Sequence, residues 1–256
     1  MKKKKEDKKI KNFKLILEYD GSAFSGFQKQ PQRPTVQQAL EDALSKLLGS
    51  KTKIGAASGR TDAGVHAVSQ VVHFKTVREY SAAEIRKALN AILPAAVAVR
   101  EAEEVPPEFH SRFSAKTKTY EYRIWNHPAR SPFLNGRAWH IRHLLDLKRV
   151  RQAAKVLTGT HDFRSFCTTD PARRENSTVR TIKSFIIKKE GDLVLIRVQA
   201  DGFLYRMVRN LTGALVDAGR GKLTAAQLAA ALKARDRREV GQTAPAHGLY
   251  LIDVTY

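Results

Sequence analysis

The sequence predicts an α+β fold made of two successive halves, each with the element order βαββαβ. Three observations carry this. Short runs of alternating apolar residues recur along the chain, as half-buried strands require. Between them lie stretches of helical periodicity opened by capping residues. The same order of signals occurs twice, without a repeated sequence.

In the first half, Phe13–Tyr19 alternates and ends at the turn pair Asp20-Gly21. Thr35 is placed to cap a helix whose apolar positions Val36, Ala39, Leu40, Ala43, Leu44 and Leu47 fall on one face, and Gly49 stops it. A short strand is expected near Ile54–Ala57 and a second over Gln70–Phe74. Ser81 and Glu84 form a capping-box pattern opening a helix to about Ile92. Ala96–Glu103 reads as the closing strand.

The second half opens with a strand over Thr117–Trp125, and Asp146 caps a helix to about Leu157. Val179–Lys188 and Leu193–Ala200 are expected to pair across Glu190-Gly191-Asp192. Phe203–Ala218 is expected as a helix stopped by Gly219. Thr224 and Gln227 open one more helix, and Leu249–Thr255 is a last strand. This order is ferredoxin-like, and each half is expected to be a sheet with helices on one face. The division predicted is a basic leader over residues 1–11, an N-terminal half over 12–108 and a C-terminal half over 109–256. The two sheets are expected to join around a central basic cleft.

Charge is the strongest global signal. The chain has 46 Lys+Arg against 25 Asp+Glu, a formal net charge of +21. The Lys-rich start does not account for it, because residues 1–9 carry six Lys and two acids. An excess of this size implies a polyanionic partner, nucleic acid first, with binding that weakens steeply with salt. A basic surface kept for solubility is the plainer reading. No run approaches the roughly 18 apolar residues of a membrane span, and the basic N-terminus lacks the apolar stretch of a secretory signal. The one cysteine, Cys167, cannot form an internal disulfide or a Cys-rich zinc site. The expected compartment is the cytoplasm.

The densest chemistry lies in Ser58-Gly59-Arg60-Thr61-Asp62-Ala63-Gly64-Val65-His66, a loop between two predicted strands. It gathers a carboxylate, a guanidinium, two hydroxyls and an imidazole between glycines that permit close backbone approach. Read alone, Asp62 could serve only its own turn, and His66 could be a packed histidine. His161-Asp162 reads as structural or as part of a loop near RNA, since adjacent residues rarely face each other. His66, His73, His110 and His161 show no metal-ligand spacing, so no metal is expected.

The nine-residue string closely resembles the signature of the TruA-type tRNA pseudouridine synthases, and the resemblance extends well beyond it. Phe109–Ala115 followed by Tyr120-Glu121-Tyr122 is similar to a second block of that family. Gly159–Phe163 with Ser165-Phe166 is similar to a third, and Phe203–Asn210 with Gly213 and Gly219 to a fourth. Tyr19-Asp20-Gly21 and Phe24–Gln28 open the fold in the same manner. The resemblance implies the pseudouridine synthase fold and isomerisation of uridine at positions 38, 39 and 40 in the anticodon stem-loop of tRNA. It also implies a homodimer and no cofactor. It assigns Asp62 as nucleophile and Arg209 as its charge partner.

Residue chemistry is compatible with those roles. The reaction breaks the N1–C1′ bond and rejoins the uracil through C5, so it needs a nucleophile that attacks and leaves, which a carboxylate supplies. Asp62 would attack C1′ or C6, or begin by abstracting the 2′ proton. A guanidinium beside it offsets the repulsion of RNA phosphates. A uridine in a stem must first be extruded. Tyr120 is the candidate stacking platform, with a hydroxyl available for proton transfer, and Tyr122 shares its strand face. Arg60 is expected to touch RNA or help displace the base, and Leu204 and Met207 to wall the pocket. The rival readings are a non-catalytic RNA-binding module or ribosome-assembly factor, and a metal-dependent nuclease built on Asp62 and His66.

Overall fold

Strand β1 (Lys11–Tyr19) is built as its alternation dictates, with Phe13, Leu15, Leu17 and Tyr19 all buried. The computed structural model describes residues 10–168 and 177–256, so most of the Lys-rich leader falls outside the described residues. Helix α1 (Val36–Leu48) starts at Thr35, whose hydroxyl accepts from the Gln38 amide, and ends at Gly49 in the left-handed conformation. Strands β2 (Ala56–Ala57) and β3 (His66–Thr76) follow. The capping box of Ser81 and Glu84 is formed and opens α2 (Ala82–Ile92), which leads into β4 (Val97–Val105). The strands pair antiparallel in the order β4-β1-β3-β2. Phe13 stands opposite Phe74 in this register, their rings stacked at 5.7 Å. Each side chain so buried contributes about 1.5–3 kcal/mol.

The second series comprises β5 (Thr117–Asn126), β6 (Trp139–Ile141), α3 (Leu147–Leu157), β7 (Gly159–Asp162), β8 (Val179–Glu190), β9 (Leu193–Ala200), α4 (Met207–Gly219), α5 (Ala225–Ala234) and β10 (Leu249–Thr255). Here the order is β10-β5-β9-β8-β7. With β7 set aside, this is the arrangement of the first sheet again: last strand, first strand, third, second. Both series thus realise the ferredoxin-like order expected from the sequence. The short β6 pairs parallel with the end of β5 that β10 leaves uncovered. Helix α3 packs on α4, α5 and β8, while α2 packs on α1 and β4.

The chain divides into two compact units. One holds the residues up to Ala63, Ala67–Ala115 and Tyr256; the other holds Gly64–His66 and Lys116–Thr255.

Two element starts and two short strands stand out against expectation. Strand β3 begins at His66, not Gln70, because Ala67, Val71 and Val72 all find buried sites along it. Strands β6 and β7 were not foreseen, being only three and four residues long. Helix α4 begins at Met207, not Phe203, because Arg206 adopts φ 58° and breaks the helical path before it. Once begun, α4 is buried nearly all round.

Candidate active site

The loop from Ser58 to His66 is anchored by side chains of neighbouring strands in the first unit. The last residue of β1, Tyr19, lies at 2.8 Å from the Thr61 hydroxyl. From β3, the Gln70 amide donates to the Gly59 carbonyl at 2.8 Å and accepts from the Ser58 hydroxyl at 2.6 Å. Its nitrogen is also 3.4 Å from the Tyr19 hydroxyl. Burial pushes the Tyr19 phenol up to about 12, against the lowering effect of its bonds to Thr61 and Gln70, so it stays protonated. Backbone contacts add to this, since the Phe27 amide donates to the Thr61 carbonyl at 3.0 Å.

Gly26, at φ +101°, lies directly against the loop. A β-carbon there would be 3.0 Å from the Thr61 oxygen, 3.2 Å from the Ala63 nitrogen and 3.3 Å from the Asp62 carbonyl carbon. The backbone bearing Asp62 is therefore held from two sides, leaving the carboxylate half-buried and Arg60 exposed. Gln70 and Ser58 were not singled out from the sequence as anchors. A signal existed for Tyr19: it falls on the buried face of β1, and a buried tyrosine hydroxyl needs a partner.

The other end of the loop belongs to the second unit. His66 is buried, stacked on Tyr250 at 4.6 Å, with Nε2 3.2 Å from the Gly136 carbonyl and Nδ1 3.4 Å from Arg137. Tyr250 also lies beneath the Arg123 guanidinium at 3.9 Å. His66 is thus a packed histidine, the plainer of its two sequence readings.

The remaining predicted site residues all lie in the second unit. Tyr120 on β5 is nearly buried and meets Phe203 edge-on at 5.1 Å. Leu204 and Met207 are buried at the start of α4. Arg209 is half-buried, and its Nε donates to the Ala244 carbonyl at 2.8 Å, while the Ala244 amide donates back to the Arg209 carbonyl at 3.1 Å. Tyr122 donates to the Pro245 carbonyl at 2.7 Å. Burial raises the Tyr122 phenol, with the charge of Arg209 opposing, and it lowers His247, with Arg209 reinforcing. Arg209 therefore sits near the segment 244–247 and the Tyr122 ring.

That segment is held by α4. A β-carbon at Gly213 would lie 1.9 Å from the Gln242 carbonyl oxygen, so the chain crosses the helix at van der Waals contact with its backbone. The Arg237 guanidinium donates to the carbonyls of Val240 and Gly241, to Asn210 Oδ1 at 3.1 Å and to the Thr243 hydroxyl at 2.9 Å. Arg237 was not foreseen. Nothing in its local sequence, Asp236-Arg237-Arg238-Glu239, distinguishes it from a solvated charge run.

Beside Tyr120 and Tyr122, on the opposite face of β5, Glu121 is buried between Arg197 Nε at 2.6 Å and Arg123 Nε at 2.9 Å. Burial alone would raise its pKa, but the two arginines outweigh this and hold it below the usual glutamate value.

Ser111 in the second family-like block and His161 and Asp162 in the third make local packing and hydrogen-bond contacts. The Ser111 hydroxyl donates to the Ala56 carbonyl at 2.8 Å, and its amide donates to His73 Nδ1 at 3.2 Å. Burial, aided by the charges of His110 and Lys75, lowers His73 to about 4. His161 and Asp162 form no dyad. The imidazole lies 3.0 Å from the Thr158 carbonyl, and the carboxylate accepts from Thr178 at 2.5 Å and pairs with Arg235 at 3.0 Å. Among the described residues, no three His, Cys, Asp or Glu side chains gather to hold a metal ion. Nor is any helix among them long and apolar enough to cross a membrane.

Comparison with known proteins adds to this geometry. A family model described as tRNA pseudouridine synthase matches residues 15–114 and 153–256. The tRNA pseudouridine synthase A of Methylacidiphilum infernorum (isolate V4) is 43% identical over 247 residues, covering 96% of either chain. That of Syntrophotalea carbinolica is 44% identical over 243 residues, 95% of either chain. That of Mesorhizobium japonicum is 44% identical over 247 residues, 95% of this chain and 98% of the other.

Proposed function

The chain belongs to the tRNA pseudouridine synthase family, and on that premise we propose that it isomerises uridine to pseudouridine in tRNA, at positions 38, 39 and 40 of the anticodon stem-loop. The observation that carries the mechanistic reading is the half-buried Asp62, on a loop fixed by Tyr19, Gln70, Ser58 and Gly26. A glycine-flanked carboxylate with that much support is more than a turn residue, and pre-organisation is what a nucleophile on a loop requires.

In this reading the target uridine leaves the stack and Tyr120 receives it, with Leu204 and Met207 closing the apolar side. Asp62 attacks C1′ or C6, or removes the 2′ proton. The N1–C1′ bond breaks, the uracil turns, C5 bonds to C1′, C5 loses its proton and N1 gains one. Atoms balance without water, redox carrier or cofactor. Arg209 supplies the positive charge that offsets the repulsion between the Asp62 carboxylate and the RNA phosphates. Arg60, exposed on the same loop, meets the RNA. The chain acts as a homodimer in the cytoplasm, and its formal charge of +21 supports binding to the tRNA backbone. The nuclease alternative is disfavoured by the burial of His66 against Tyr250.

The test is incubation with unmodified tRNA in the presence of a chelator, followed by nucleoside analysis. Pseudouridine at 38–40 without strand cleavage is expected. Cleavage that appears only with magnesium would establish the nuclease instead, and binding without product would establish the non-catalytic module.

A further inference from the structure

Among the described residues, three that are not glycine adopt positive φ: Gln32 at 56°, Arg206 at 58° and Arg235 at 55°. The left-handed conformation is unfavourable for a side chain with a β-carbon, and glycine would occupy it without strain. Two of the three have an ordinary explanation. Arg235 is the C-cap of α5, where this conformation is common, and its guanidinium pairs with Asp162 at 3.0 Å. Gln32 is neutral and lies in the tight turn closed by the bridge between Gln30 and Arg33.

Arg206 has neither explanation. It precedes α4, caps nothing with its side chain and is exposed. Among the described residues, its guanidinium meets only the ring of Tyr205, at 5.0 Å from the centroid, and no carboxylate. An arginine that stability alone would replace with glycine thus stands where, among the described residues, it forms no ion pair. Backbone strain of this kind points to use elsewhere. The tyrosine ring takes one face of the guanidinium and orients it, while the N–H edge remains available for two oxygens at once.

We infer that Arg206, steadied by Tyr205, is a phosphate-binding residue that grips one phosphodiester of the tRNA. That the phosphate belongs to tRNA rests on the proposed function.

The experiment compares Arg206→Gly with Arg235→Gly, which makes the same change of charge and backbone at a paired arginine. tRNA affinity is measured across a salt series, together with thermal unfolding of each variant. Arg206→Gly is expected to melt at or a few degrees above the parent temperature. Its affinity should fall several-fold at physiological salt, and the slope of log K against log salt should shrink by about 0.7–0.9, the signature of one lost phosphate contact. Arg235→Gly should leave the slope unchanged, and Arg206→Lys should restore it, though not the whole affinity. Unchanged slope and affinity in Arg206→Gly would overturn the assignment, as would an equal loss in Arg235→Gly or a lower melting temperature for Arg206→Gly. Pseudouridine formation by the parent chain is scored in parallel. Its absence sinks the proposed function, while the salt slopes still decide the fate of Arg206.

Discussion

The loop bearing Asp62 and the helix bearing Arg209 are held in contrasting ways. The loop is gripped by neutral side chains, with Tyr19 and Gln70 bonding Thr61, Ser58 and Gly59. The helix is gripped by steric fit and two guanidiniums, with the Gln242 carbonyl pressed onto Gly213 and Arg237 and Arg209 holding the strap around it. A net hydrogen bond is worth about 1 kcal/mol, whereas overpacking a close contact costs about 1–3 kcal/mol or more. The first region is therefore tunable and the second is not. Lesions in the loop should surface in turnover, and lesions around α4 in folding.

The sharpest form of that contrast is Asp62→Ala. It should abolish pseudouridine formation yet leave the fold intact and tRNA affinity within about tenfold, because phosphate contacts dominate binding. Turnover close to the parent level in single-turnover assays would end the nucleophile assignment. Tyr120 comes next. Tyr120→Phe keeps the stacking surface and should slow or stop turnover, and if only Tyr120→Ala is impaired, the hydroxyl has no chemical role. For the second region, Gly213→Ala should cost about 3 kcal/mol in chemical denaturation, since the Gln242 oxygen is backbone and must be displaced. Wild-type stability there would break the comparison.

A smaller effect is expected from Tyr19→Phe, which removes one bond to Thr61. About 1 kcal/mol of stability should go, and kcat should fall by roughly a factor of ten with KM little changed, as a 1 Å misplacement can do. Loss confined to stability would show that the loop's geometry survives without this anchor.

The least conspicuous effect concerns pH. His73 is held near 4, below the ordinary histidine value, so the unfolded chain takes up a proton before the folded one does. Its neutral form thus contributes full stability above the ordinary value near 6.5, and that contribution is lost as pH falls from there toward 4. Replacing His73 with Gln should flatten this part of the stability profile. An unchanged slope would assign the proton uptake elsewhere.

Much of this architecture was legible beforehand, and the reason is local. Thr35, Ser81, Asp146 and Thr224 sit at the starts of their helices with the side-chain bonds that their types and spacing announce. Alternation located β1, β5, β9 and β10 to within one or two residues. What escaped depends on long-range placement. Arg206 reads like any helix former, yet its backbone turns left-handed just before α4. Glu121 reads as an exposed strand residue until Arg197, 76 positions away, closes over it. The Asp62 string drew attention through composition, while of its supports only Tyr19, 42 residues from Thr61, carried a sign in its place on the buried face of β1, and Gln70 carried none.

The fit of Gly26 against the Asp62 backbone has a consequence for engineering. The nine-residue string is not portable. Grafted onto another strand connection, it would bring the Asp62 carboxylate but not the missing methyl at a distant turn that gives the chain room to lie as it does. A transplant would need Gly26, Tyr19 and Gln70 to travel with it, so the smallest movable module is a three-stranded piece of sheet rather than a loop.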